Sequence, residues 1–164
     1  MSETTDFSPL ARMLTAFLGV LLFGHVLMTG FAKYFPDLNM PNSIGLIIVA
    51  AASTYAGQFF ARSLGKAMSA KEKLTFALAA TILGIALTAS VIWAQFAYYG
   101  LPFNVDSVLF LVLGGAVSAE EKKMVLLVGG GIGCIVSVVV CYFGSGFGAK
   151  SYLKQMDRQA AKVK

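Results

Sequence analysis

The stretch Gly57–Lys73, GQFFARSLGKAMSAKEK, decides how the whole chain is read. It is the one long polar interruption in the first hundred residues. It holds Arg62, Lys66, Lys71 and Lys73, four of the chain's thirteen Lys and Arg residues. An apolar run lies on each side of it. Within it, Ser69 is followed three residues later by Glu72, the spacing of a capping box at a helix start. A short basic connector between two apolar runs of about twenty residues is what a membrane protein places between two spans.

Composition agrees. Of 164 residues, 57% are hydrophobic and 13% charged, and the mean hydropathy is +0.76. A water-soluble domain carries about 25% charged residues. The net charge of +5 raises nucleic acid or anionic lipid as partners. The positive charges stand between apolar runs, however, so they read as topology markers rather than a nucleic-acid surface.

Outward from that stretch, four spans are predicted at about 10–33, 43–61, 74–98 and 122–149, within a single integral membrane domain over 1–164. The first opens on Ser8 as cap and Pro9 at the first helical position. Its apolar run is too long for the core of a cleaved signal peptide and is expected to stay as an anchor. A Pro-containing connector, PDLNMPNS, follows. The second span is rich in small residues, with Ala52/Ala56 and Ser53/Gly57 at four-residue spacing, which lets helix backbones approach closely. The third carries Ala80, Gly84 and Thr88 on one stripe and ends in aromatic residues, stopped by Gly100 and Pro102. In the fourth, Gly129, Gly133, Ser137 and Cys141 recur every four residues, a face suited to internal packing, to a second copy or to a partner subunit.

Between the third and fourth spans, the apolar core of 103–118 is too short to cross. It is expected to form a short interfacial or re-entrant segment lying back on the bundle. The fold class expected is therefore an all-α polytopic membrane protein with four transmembrane helices. Counting Lys and Arg places ten on the side that holds both termini and the 62–73 connector, and three on the other. By the positive-inside rule both termini are cytoplasmic. The tail after Ala149 is basic and is expected to continue the last helix, along the membrane surface.

Few residues are candidates for chemistry. His25 is the one histidine and falls near the middle of the first span, with Met28 and Thr29 on its face. An ionisable group inside a membrane is a functional candidate. A haem ligand, a proton-relay group and a quinone contact are the sharper readings of His25 as a cofactor-binding residue. A neutral ring bonded to a Ser, Thr or Tyr of another helix is the plainer one. No Asp or Glu falls inside a span, which weighs against a carrier built on a membrane carboxylate. Cys134 and Cys141 lie roughly 10 Å apart on one helix, too far to bridge. Gly129–Gly133 lacks the Lys-Ser/Thr of a phosphate loop. No cofactor, metal or catalytic residue is called for, and an enzyme is not expected.

A second Ser-to-Glu spacing, Ser118/Glu121, precedes the fourth span. Recurrent capping explains it more simply than an inverted repeat. AGQFFARSLGKAMSAKEKLTFALA (Ala56–Ala79) and YFGSGFGAKSYLKQ (Tyr142–Gln155) together resemble an uncharacterised group of small bacterial four-helix inner-membrane proteins. That resemblance covers about a quarter of the chain. It implies bacterial origin and a four-helix architecture, and brings no activity and no site residues with it. The expected function is that of an accessory or self-associating inner-membrane subunit, whose partners are the lipid bilayer and a second copy or a larger membrane complex. The alternatives are a small transporter or channel subunit, and a haem- or quinone-binding redox subunit using His25.

Overall fold

In the computed structural model, residues 8–35, 44–113 and 118–162 are described. The connector 36–43, with the first residue of the expected second span, lies outside them, as do residues 1–7, residues 114–117 of the short segment, and residues 163–164. The described residues form helices and turns with no strand. They are α1 (Pro9–Tyr34), α2 (Ile44–Leu64), α3 (Ala70–Tyr98), α4 (Val105–Leu113), α5 (Ala119–Met124), a π-helical turn (Val125–Gly129) and α6 (Gly130–Lys162). Four helical stretches are long and apolar enough to cross a membrane: Pro9–Phe31, Ile44–Leu64, Ala70–Tyr98 and Glu120–Lys162. The nine residues of α4 rise only about 14 Å, less than half of an apolar bilayer core.

The stretch 57–73 divides three ways. Gly57–Leu64 completes α2, residues 65–69 make the turn, and Ala70 begins α3. Gly65 ends α2 at φ +64°, the left-handed conformation that closes a helix, and its N–H donates to the Ala61 carbonyl at 2.8 Å. Ser69 then caps α3. The Glu72 N–H donates to Ser69 Oγ at 3.2 Å, and the Ser69 N–H donates to Glu72 Oε2 at 2.7 Å. Ser118 and Glu121 repeat the same reciprocal pair at the start of α5. Ser8 caps α1 by accepting from the Ala11 N–H at 3.3 Å, with Pro9 in the first helical position. At the far end of α3, Gly100 takes φ +66°. The Leu101 and Gly100 N–H groups return to the carbonyls of Phe96 and Ala97, which closes the helix in a Schellman turn.

The chain divides into two compact units, one over Met1–Gly84 with Ser137–Lys164 and one over Ile85–Val136. The larger unit has a core of one aromatic wedge and many small residues. Met13, Phe17 and Leu21 of α1 are buried at successive turns of one face. The Phe17 ring meets Phe76 of α3 edge to face at 5.8 Å. Gly84 makes room for this wedge: a Cβ there would lie 3.6 Å from Leu21 and 3.8 Å from Phe17. Gly24 of α1 lies tight against Ile48 of α2. In the smaller unit, Phe96 and Leu109 are buried, Phe96 packs edge to face on Phe103 at 5.9 Å, and Lys122 pairs with Asp106.

Candidate functional site

The tightest place in the larger unit is the crossing of α2 and α6. Ala52, Ser53, Ala56 and Gly57 of α2 are buried, and so are Cys141, Ser145, Gly148 and Ala149 of α6. Here backbone meets backbone. A Cβ at Gly57 would strike the main chain of Ser145, and one at Gly148 would strike the Thr54 carbonyl. A Cβ at Gly144 would meet Ser53 Oγ and lie 3.5 Å from the Ala50 carbonyl. Ala50 therefore opposes Gly144, and Thr54 opposes Gly148. A four-residue step along α2 is matched by a four-residue step in the same direction along α6, so the two helices run parallel. Two parallel helices of membrane length are compatible with one further helix of that length between them in the chain, and α3 is that helix.

The polar groups at this crossing are satisfied locally. Ser53 Oγ donates to the Ala50 carbonyl at 3.0 Å, and Ser145 Oγ donates to the Tyr142 carbonyl at 3.2 Å. The Cys141 side chain faces the buried hydroxyl of Thr81. Gln58 is half-buried beside Gly57.

Just beyond the crossing, Lys73 lies half-buried across Gly146, with its ammonium 4.8 Å from the centre of the Tyr142 ring. Its aliphatic stem takes the space that a side chain at residue 146 would fill. The charge thus ties the start of α3 to α6. Lys66 pairs with Glu72 at 3.0 Å, and its ammonium lies 5.8 Å from the Phe60 ring centre. Hydrogen bonding from the Ser69 backbone first, then from Lys66, lowers the Glu72 carboxyl to a pKa of about 2. The Ser118 hydroxyl, then the Ser118 backbone, lowers Glu121 in the same direction. Arg62 and Lys71 point to solvent.

His25 is half-buried on α1. Its Nδ1–H donates to the Leu21 carbonyl one turn back at 3.0 Å, and its own carbonyl accepts from the Thr29 hydroxyl at 2.9 Å. The bond at Nδ1 goes to the ring's own helix. Among the described residues, no three of His, Cys, Asp and Glu gather in a way that could hold a metal ion.

The small-residue stripe expected from Gly129 to Cys141 divides. Cys141 is buried and Ser137 half-buried in the larger unit. In the smaller unit, Gly129 has only Val125 of its own helix near its Cβ position, at 3.9 Å, and Gly130, Gly131 and Gly133 have nothing within 4 Å. Directly before them, the π-helical turn shifts the helix register, so residues on its two sides no longer share one face. The residues missed by sequence reasoning are Gly144, Ser145 and Gly148, which complete the α2 face. Their signal is the run Gly-Ser-Gly-Phe-Gly-Ala at 144–149, small residues at four-residue spacing directly before the basic tail. No protein-family model, curated protein or solved structure matches this chain.

Proposed function

We propose that this chain is a multi-pass protein of the bacterial inner membrane, both termini in the cytoplasm, that acts as an accessory or self-associating subunit and not as an enzyme. The carrying observation is the contrast in how small residues are used. Those of α2 and the second half of α6 are consumed by the chain's own packing, whereas Gly130, Gly131 and Gly133 present a Cβ-free surface within their unit. Leu127, Ile132 and Ile135, exposed around these glycines, make a surface that lipid or another helix covers equally well. In lipid, only close packing favours the helix, and glycine is what allows it.

The orientation rests on charge. Arg62, Lys66, Lys71 and Lys73 stand at the same end of the larger unit as Lys150. The parallel run of α2 and α6 supports placing the 62–73 connector and the tail on one side of the bilayer.

Purification in a mild detergent tests the reading. The expected result is a particle larger than one chain, either a homo-oligomer or a stoichiometric complex. A strictly monomeric particle with no co-purifying partner overturns it.

A further inference from the structure

We infer that Lys73 and Lys150 hold the phosphate of an anionic phospholipid against α6, with an acyl chain of that lipid lying on Phe143 and Phe147. This names the chemistry of one lipid contact and rests on the membrane reading above.

The first observation is a half-buried cation with no counter-charge. Lys73 fills the groove that Gly146 leaves, and its ammonium rests on the Tyr142 ring. An ammonium carries three N–H donors, and a ring face meets only one side of it. Among the described residues, no carboxylate pairs with Lys73. Withdrawing a charge from water without a partner is costly. The described residues of the larger unit hold two acids, Glu72 and Asp157. Glu72 is occupied by Lys66 and by the Ser69 N–H. Asp157 lies about 16 Å beyond Gly146 along the axis of α6.

Lys150 brings a second cation to the same place. Tyr142, Gly146 and Lys150 follow at four-residue steps on one face of α6, and Lys73 crosses that face at Gly146. Lys150 is exposed and stands about 6 Å beyond Gly146, so an anion touching Lys73 is within its reach. Each lysine also bounds an apolar run: Leu74 follows Lys73, and Ala149 precedes Lys150. Two runs ending side by side leave their flanking charges at headgroup depth.

The second observation selects a lipid from among anions. Phe143 and Phe147, next in the chain after Tyr142 and Gly146, are 68% and 67% exposed. They form an apolar strip beside the basic face, and it stops within one turn of Lys150. Two cations at the end of an aromatic strip match an amphiphile, phosphate at one end and hydrocarbon along the rings. A free phosphate makes no use of the rings. An acidic peptide would have to satisfy its own backbone groups beside lipid. Phosphatidylcholine would bring a third cation up to the pair, whereas an anionic headgroup does not.

The test is native mass spectrometry of the full chain, purified free of lipid in a mild detergent and titrated with phosphatidylglycerol or phosphatidylcholine. Phosphatidylglycerol should bind at least about fivefold more tightly than phosphatidylcholine. Lys150→Gln should weaken its binding about fivefold, and so should Lys73→Met, whose stem still fills the groove. Lys73→Arg should retain it. Arg62→Gln and Arg158→Gln remove the same charge elsewhere and should each weaken it by less than about twofold. Lys150 stands outside the packed core, so its variant decides the matter even where Lys73→Met loosens the bundle. Equal binding of the two lipids by the wild type overturns the proposal. So does a loss in Arg62→Gln or Arg158→Gln as large as in Lys150→Gln, because diffuse charge would then suffice. Sodium phosphate that displaces the lipid, where sodium chloride of equal ionic strength does not, overturns it in favour of a free-anion site. Lipid selectivity is read on whatever particle the detergent yields, so a strict monomer would sink the subunit reading and leave this one standing.

Discussion

The last membrane-length helical stretch carries two glycine-rich segments, and they are used in opposite ways. Gly144 and Gly148 sit against α2 so closely that a single added carbon would collide with its backbone or with Ser53. Gly130, Gly131 and Gly133, less than twenty residues earlier, meet nothing within 4 Å in their unit. Residue type is the same in both. What differs is whether a complementary small-residue face exists on a neighbouring helix: Ala52, Ser53, Ala56 and Gly57 supply it for the first segment. A glycine stripe is thus a capacity for close approach, and the facing helix decides whether the chain itself uses it.

The largest effect should come from filling the occupied segment. Gly57→Val or Gly148→Val forces α2 and α6 apart, at a cost of about 3 kcal/mol. Unfolding in detergent mixtures of increasing SDS fraction, followed by circular dichroism, measures it. If Gly133→Val costs as much, the distinction between the two segments collapses.

A second prediction compares the two capping boxes, which share a motif but not surroundings. Ser69→Ala removes the cap of α3 beside the α2–α6 crossing and should cost about 1 kcal/mol in the same assay. Ser118→Ala should cost less, because Glu121 has no counterpart of the Lys66–Glu72 ion pair among the described residues. A pH titration sharpens this. Glu72 is lowered from 4.5 to about 2 on folding. Its contribution is therefore fully present above about pH 4.5 and is lost as the pH falls towards 2. The wild type should show that acid loss, and Ser69→Ala a smaller one.

Lys73→Met keeps the stem over Gly146 and deletes the charge above Tyr142. It should cost about 0.5–1 kcal/mol, measured against Tyr142→Leu and the double variant in a mutant cycle. A coupling near zero would mean that the stem, and not the ammonium, closes this end of the bundle.

The smallest effect, of opposite sign, belongs to the open segment. Gly133→Ala should leave the monomer as stable or raise it by about 0.5 kcal/mol, since helix propensity improves and nothing is displaced. Analytical ultracentrifugation of the same variant shows whether a second chain uses that face. Dissociation of an otherwise intact oligomer would place the contact there.

Much of this was legible in the residues. The turn at 65–69, both Ser-to-Glu caps, Ser8–Pro9 and the Gly100 stop follow from local hydrogen-bonding rules, and local rules survive without tertiary context. The small face of α2 was legible because it is dense. Its partner was not. Gly129, Gly133, Ser137 and Cys141 were the better periodic match, yet Gly133, Ser137 and Cys141 keep one register on α6, and only depth along the helix separates the open glycine from the packed residues and selects Gly144 and Gly148. The same holds for Lys73 over Tyr142: the two are about 70 positions apart, and nothing in either neighbourhood specifies the other.

The parallel contact between α2 and α6 also sets a clock. Gly57 leaves the ribosome about 90 residues before Gly148, and at ordinary elongation rates that is roughly 5–18 s. Throughout that interval the tightest interface of the molecule has only one of its two sides. A nascent chain arrested before residue 144 would hold its Ala52–Gly57 face bare, open to any other small-residue helix that arrives first.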